Sequence, residues 1–385
     1  MECKRKIGII TIFHVNNYGA ELQAFALQHK LQGLGYDAEI INYLFYKNPN
    51  FKATKKSQPF IKLGTKEKLK EFLYPYFKKI KSLPYLKQKR ERDSKFNTFH
   101  KQHTKQSPII NTIDKLYKSK LNYDIFIVGS DQVWNPNTNT NIEPYFLTFA
   151  PKNKLKLAYA SSFGVNQIHN AYKEKYKGLL NNLDNIGVRE KTGVSIVKEI
   201  TGKKATWVLD PTFLLKKEEW ARFKSEIKID KPYLLMYILT DSDYISNLAN
   251  KIAKEKGLQI VRICKNAFVE DKNSEVINII DAGPKEYLGL FAKASFVITT
   301  SFHGTCFSVN FNIPFYTVLK KNKSNNSRQI DLLEYLGIGN RIVYVDNKIE
   351  ELKNLDINYI SVNEQLEIKR EISLNYLKGS LTVVK

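Results

Sequence analysis

Residues Ser295–Pro314 read Ser-Phe-Val-Ile-Thr-Thr-Ser-Phe-His-Gly-Thr-Cys-Phe-Ser-Val-Asn-Phe-Asn-Ile-Pro. Phe296–Thr299 is an uncharged, β-branched run, the pattern of a strand buried in a parallel sheet. Thr300, Ser301 and Thr305 are residues that cap helix starts, and Gly304 relaxes the backbone among them. A short helix is predicted over Thr305–Phe311, stopped by Asn312 and Pro314. His303 then falls where a strand hands over to a helix, the edge of an open α/β sheet at which ligands bind. Unpaired N–H groups and the helix dipole favour an anion there. An imidazole in that position gives or takes a proton near neutral pH. The same residues also suit an ordinary βα loop with a surface histidine, and this stretch alone leaves both readings open.

The α/β rhythm continues on either side. Ile7–Phe13 predicts a first strand. Ala20, Ala24, Leu27, Leu31 and Leu34 form one apolar helical stripe ended by Gly35, and Ala38–Tyr43 is the next strand. That is a βαβ unit, and it places the Asn17-Tyr18-Gly19 loop at the ligand edge of its sheet, although Asn and Gly also favour plain turns. Asp124–Gly129 is a buried strand ending in Ser130-Asp131-Gln132. Asn185–Val188 is another, ending in Arg189-Glu190, and Thr206–Leu209 ends in Asp210-Pro211-Thr212. Asp131 at a strand end suits a carboxylate that takes a proton from a hydroxyl or orients a partner, and equally a helix cap. Arg189 offers a planar fork for phosphate or carboxylate, or a simple pair with Glu190. Lys216–Ile229 reads as a polar helix. Beyond it the strand–helix alternation repeats from Tyr233, with a polar loop over Lys320–Arg328 and a helix from Ile330.

A chain of 385 residues exceeds one ordinary core. Two α/β domains are expected, 1–216 and 217–345. A tail, 346–385, carries a last helix, Val362–Leu377, that crosses back over the first domain. Residues 47–107 differ in composition, being dense in lysine with interleaved aromatics and three prolines, and read as a basic helical insertion. They suit an anionic membrane surface or a lipid-linked substrate, or a solvated helical excursion. The net charge of +23 points to an anionic partner or substrate, or to compositional bias, since lysine is scattered through every segment. No base-stacking or groove-reading motif accompanies it, so nucleic acid is not expected as a partner. Three cysteines without metal spacing fit a reducing compartment. No apolar run approaches a membrane span, and Ile7–Phe13 lacks a cleavage site, so a cytoplasmic protein is expected.

Taken together and in order, the strand-end clusters resemble the polysaccharide pyruvyl transferase family. The matching stretches are Asn17–Gln23 (Asn-Tyr-Gly-Ala-Glu-Leu-Gln), Val128–Asn135, Tyr159–Gly164, Val188–Glu190, Asp210–Leu215, Ser301–Gly304 with Asn312–Phe315, and Ser327–Leu333. The resemblance implies two Rossmann-like domains facing a cleft, as in GT-B glycosyltransferases. It also implies phosphoenolpyruvate as donor, a sugar diol as acceptor, and a cyclic pyruvate ketal as product. Some family members carry an arginine two residues before the motif histidine. Here that position is Ser301, so Arg328 or a lysine of Lys320–Lys323 is the expected substitute.

Ketal formation needs a proton on the donor methylene, a base for the sugar hydroxyls and clamps for two anionic groups. His303, Asp131 and Arg189 are the candidate catalytic residues. His303 is the acid–base group, Arg189 the anion clamp, and Asp131 the residue that binds or deprotonates the acceptor. Asn17, Tyr18, Gly19, Ser130, Gln132, Ser301, Gly304, Thr305 and Arg328 are the candidate substrate-binding residues. No metal and no cofactor beyond the donor are expected. The acceptor is left open between lipid-linked, nucleotide-linked and polymeric sugar. Two other readings compete: a GT-B glycosyltransferase using a nucleotide sugar, and a non-enzymatic basic binding module. Cys306 is expected to be a buried helix residue and not a nucleophile.

Overall fold

The computed structural model describes residues 4–47, 83–138, 141–264, 273–349, 352 and 356–382. The first half runs β1 (Lys6–Ile10), α1 (Tyr18–Gly33), β2 (Asp37–Ile40), α2 (Leu86–His103), α3 (Ile113–Lys118), β3 (Ile125–Val128), β4 (Leu155–Ser161), α4 (Asn170–Asn181), β5 (Asn185–Val188), α5 (Lys191–Thr201) and β6 (Thr206–Trp207). After the short α6 (Lys217–Ala221) come β7 (Tyr233–Tyr237), α7 (Asp243–Lys256), β8 (Gln259–Ile263), β9 (Val276–Ile279), α8 (Pro284–Lys293), β10 (Phe296–Thr299), α9 (Phe302–Asn310), β11 (Phe315–Leu319), α10 (Ser327–Tyr335), β12 (Ile342–Tyr344) and α11 (Tyr359–Leu381). They form two six-stranded sheets, ordered β2-β1-β3-β4-β5-β6 and β12-β11-β10-β7-β8-β9. Every pairing between these strands is parallel. Both sheets are doubly wound, and this is the two-domain Rossmann-like arrangement of the GT-B fold.

Strand order reverses between β1 and β3 in the first sheet and between β7 and β10 in the second. Each reversal leaves a crevice at the carboxyl ends of the strands, the place where doubly wound sheets bind ligands. Asn17 follows β1 and Asp131 follows β3. Thr240 follows β7 and His303 follows β10. The two crevices face each other.

What holds them together is largely apolar. One hydrophobic cluster joins Leu22, Phe25, Phe96 and Phe99 of the first half to Tyr237, Tyr287 and Phe307 of the second. The Tyr18 ring stacks on Tyr287 at 4.5 Å, and its hydroxyl donates to the Ala282 carbonyl at 2.8 Å. On α2, Arg92 donates to the Cys264 carbonyl and Lys95 pairs with Asp281 at 2.7 Å. Helix α11 bridges both halves. Its Tyr359 hydroxyl donates to the Ile313 carbonyl, Arg370 to the Phe213 carbonyl and Tyr376 to the Ala158 carbonyl.

Several element bounds differ from the sequence reading. Helix α9 begins at Phe302 and not at Thr305, because the Ser301 side chain caps it by accepting from the Gly304 N–H. His303 therefore lies inside the first turn. The polar helix expected over Lys216–Ile229 stops at Ala221. Beyond it Phe223, Ile227 and Ile229 pack on the core, and the Ser225 N–H donates to the Lys285 carbonyl in place of a helical bond. Helix α10 begins at Ser327, so Arg328 is helical and does not sit in a loop. Helix α11 runs through Gly379 to Leu381. Of the basic insertion, 48–82 lie outside the described residues. The described part, α2, turns Phe96 and Phe99 into the core and spends Arg92 and Lys95 on the second half.

Candidate active site

A cavity of about 280 Å³ opens between the two crevices. The first half contributes Asn17, Asp131 and Gln132 to its wall. The second contributes Thr300, Ser301, Phe302, His303, Lys320, Lys323, Arg328 and Gln329, among others.

His303 is 7 % exposed and reaches across to the first half. Its Nε2 stands 3.5 Å from Asp210 Oδ2, an ion-pair separation rather than a short hydrogen bond. The fit on the other flank is tight. A Cβ on Gly19 would lie 2.0 Å from His303 Nδ1, so the first turn of α1 admits the imidazole only because residue 19 has no side chain.

Asp210 is the hub behind the imidazole. It follows β6, is 1 % exposed, and caps the turn Pro211–Phe213 by accepting from the Thr212 N–H at 3.0 Å. Its Oδ2 also accepts from Ser130 Oγ at 2.8 Å and from Arg189 Nη1 at 3.0 Å. Burial by itself pushes this carboxyl up, but the His303 imidazole, the Arg189 guanidinium and the Thr212 N–H outweigh it and hold it far below the usual carboxylate range. Asp210 is thus a fixed negative charge that orients the imidazole and attracts the ring when it carries a second proton.

Arg328 is 8 % exposed and lines the cavity. Its Nε donates to the Asn325 carbonyl, and its guanidinium lies 5.5 Å from the Phe302 ring centroid. Burial and the neighbouring Arg189 pull it down to about 10, still a cation at neutral pH. It stands with the first turn of α9 in one wall of the cavity, an arrangement of the kind that suits an anion. Asp131 sits in the left-handed region at φ 79, with its carboxylate 3.6 Å from Arg189 Nη2. Aspartate is among the residues that tolerate this region best. The Asn17 side-chain oxygen Oδ1 caps α1 by accepting from the Gly19 and Ala20 backbone N–H groups, which leaves the side-chain NH2 for the cavity that Asn17 lines. Asn135 donates to Gln132 Oε1 at 2.8 Å and so turns the Gln132 NH2 away from itself.

Six of the candidate residues do not line the cavity. Tyr18 is buried in the interface between the halves. Gly19 gives room to His303. Ser130 bridges Asp210 and Arg189. A Cβ on Gly304 would meet Thr299 Oγ1 at 2.2 Å, so this glycine serves the packing of α9 on β10. The Thr305 hydroxyl is spent on Ser301 and Thr317. Arg189, 4 % exposed, is behind Phe302, with its guanidinium 4.5 Å from that ring's centroid and its charge committed to Asp210. In this structure Arg189 holds Asp210 through Nη1, while its Nε and Nη2 make no hydrogen bond among the described residues. Asp210 is the site residue that sequence reasoning missed, although it carries the same signal, a polar residue directly after a short strand. Cys306 is fully buried, and burial raises its thiol well above the ordinary value, which suits packing and not nucleophilic attack.

The sequence model of the polysaccharide pyruvyl transferase family matches residues 17–319, most of the chain. The chain belongs to this family. Membership makes it, in general terms, a polysaccharide pyruvyl transferase, with a saccharide as the acceptor. A search of curated proteins by sequence gave no match. Among solved structures, the chain is similar to a protein described as a UDP-N-acetylglucosamine 2-epimerase from Listeria monocytogenes, at TM-score 0.53 and 12 % identity over 99 % of this chain and 97 % of that one. A UDP-GlcNAc 2-epimerase from Neisseria meningitidis gives TM-score 0.46 at 10 % identity, over 98 % of this chain and 99 % of that one. An E. coli heptosyltransferase gives 0.42 at 11 %, over 94 % and 99 %. The first of these likenesses supports the fold of the pyruvyl transferase and nothing finer. Among the described residues, no cluster of three or more His, Cys, Asp or Glu is placed to hold a metal ion, and no helix is long and apolar enough to cross a membrane.

Proposed function

We propose that this pyruvyl transferase moves the pyruvate unit of phosphoenolpyruvate onto two hydroxyls of one sugar, making a cyclic ketal and releasing phosphate, in the synthesis of a bacterial surface polysaccharide. The observation that carries the reading is His303, backed by the buried Asp210 carboxylate at 3.5 Å, in the wall of a cavity that also holds Arg328 and Asp131.

Protonated His303 gives a ring proton to the donor's methylene carbon. C2 becomes cation-like, while Asp210 stays ionised behind the ring and attracts the charge that returns when the ring regains a proton. A sugar hydroxyl adds to C2 and gives its proton to the Asp131 carboxylate. A second hydroxyl of the same sugar then displaces phosphate and gives its proton to the neutral His303 imidazole, restoring the acid, while the phosphate departs toward Arg328 and the first N–H groups of α9 and takes up the proton held by Asp131. Bonds and charge balance without an oxidant, and no cofactor beyond the donor is required. General acid–base transfer of this kind contributes about 10²–10⁴-fold.

The test is incubation of the full chain with phosphoenolpyruvate and a panel of saccharides, reading phosphate and the acceptor mass. Phosphate released in step with an acceptor heavier by one pyruvic acid less one water supports the proposal. Consumption of a nucleotide sugar, with phosphoenolpyruvate untouched, refutes it in favour of a glycosyltransferase.

A further inference from the structure

Beside the central cavity lies a second recess of about 120 Å³, wholly within the first half of the chain, and Gln132 belongs to the walls of both. Its lining is almost entirely apolar, with five aromatic rings, Phe13, Tyr43, Phe45, Tyr46 and Tyr145. The Tyr46 hydroxyl is already used, donating to the carbonyls of Phe13 and His14. Besides the tyrosine hydroxyls, the polar side chains in its wall are Thr138 and Gln132, and Gln132, which the recess shares with the central cavity, has its NH2 aimed away from Asn135 by the hydrogen bond between the two side chains.

This combination selects a ligand. A sugar ring pushed into the recess would leave its hydroxyls without partners, which is costly. A group with a carbonyl oxygen at the mouth and a methyl or short alkyl beyond it fits both features. The carbonyl accepts from Gln132, and the alkyl part meets aromatic faces. We propose that the recess is a specificity subsite for an N-acyl substituent, so that the acceptor is an acylamino sugar. The acyl carbonyl is held by Gln132, and the ring's free hydroxyls lie in the central cavity before His303. The inference rests on the reading that the acceptor is a sugar, and it deepens that reading by naming the sugar's class.

The experiment is ligand-observed saturation-transfer NMR with titration on the full chain, without donor. N-acetylglucosamine, N-acetylmannosamine and N-acetylgalactosamine are compared with glucose, mannose and galactose. At least one acetylated sugar is expected to bind about tenfold more tightly than its parent, with the acetyl methyl protons the most strongly saturated. Val15→Trp, at the recess rim, and Ile12→Phe, in its wall, fill the space by different routes, and each folded variant should erase the preference. Equal binding of the parents, no binding of any sugar, an unsaturated methyl, or a preference that survives both variants would overturn the subsite. Failure of the subsite and failure of the reaction are separable. Phosphate released equally well with plain hexoses removes the subsite and leaves the ketal chemistry. An acetyl preference with phosphoenolpyruvate inert removes the chemistry and leaves the subsite.

Discussion

Gly19→Ala adds one methyl group, on the first turn of α1, where the structure has no room for it. The new Cβ would lie 2.0 Å from Nδ1, 2.3 Å from Cγ and 2.7 Å from Cε1 of His303. All three are ring atoms, so no flexible chain end can swing aside. Restoring an ordinary contact at 3.4 Å moves the imidazole by about 1.4 Å. Misplacing a reacting group by about 1 Å costs on the order of 10²-fold, so turnover should fall at least that far. The effect on folding is smaller. Alanine gains up to about 1 kcal/mol over glycine in a helix, against about 1–3 kcal/mol for overpacking. The variant should remain folded, with a melting temperature near that of the parent. The assay is phosphate release from phosphoenolpyruvate with acceptor, alongside circular dichroism and a thermal melt. Gly33→Ala is the control, because it lies in the same helix and a Cβ there meets nothing within 4 Å; its turnover should be unchanged. A folded Gly19→Ala protein turning over within twofold of the parent would refute the seating of the imidazole against α1 and the role given to it.

His303→Ala should abolish phosphate release with the melt intact, and near-normal turnover would reject it as the acid. Arg328→Gln should raise the donor KM about ten- to a hundredfold, the worth of one charge-assisted contact, while saturation-transfer signals from the acceptor persist. Asp210→Asn leaves the buried Arg189 without its ion partner and should cost about 3–5 kcal/mol in denaturant melts. It should also flatten the acid limb of stability. Because the Asp210 carboxyl is held below its unfolded value, its contribution is full above about pH 4 and is lost as the pH falls further, and the asparagine variant has no such loss to show. Tyr18→Phe removes only the bond to the Ala282 carbonyl and should cost about 1 kcal/mol with donor and acceptor KM unchanged; a selective rise in either would return Tyr18 to the ligand wall.

Much of this is legible in the chain because a doubly wound sheet writes its ligand edge into the sequence as polar residues directly after apolar runs. Asn17, Asp131 and His303 follow that rule, and all three border one cavity. The rule places a residue at the edge but does not say which way its side chain turns. Ser130 and Asp131 are neighbours, yet Ser130 turns inward to Asp210 and Asp131, at positive φ, turns out. Arg189 has the right charge at the right edge, but the buried Asp210 carboxylate claims it, and that pairing spans 21 residues with no local pattern to announce it. The glycines mislead in the same way. Gly19 and Gly304 look like ligand-loop residues, whereas each exists because another side chain, His303 or Thr299, occupies the space beside it. Lys216–Ile229 looks helical from its polar character; Phe223, Ile227 and Ile229 instead serve a core whose shape depends on α8.

The placement of His303 has a consequence for how this site works. The imidazole belongs to the second half of the chain, while Gly19, which gives it room, and Asp210, which backs it, belong to the first. Each half alone would hold an incomplete site. The halves are joined by a shared hydrophobic cluster, by Tyr18 on Tyr287, and by Asn310 of the His303 helix donating to the Thr212 carbonyl at 2.8 Å, two residues from Asp210. A joint with that much apolar contact resists the hinge motion that is otherwise the default between domains. The imidazole is therefore held in place by the joint itself. Pre-organisation of this kind would suit the proposed delivery of one proton to one carbon, because the site would not have to reorganise at the moment of transfer.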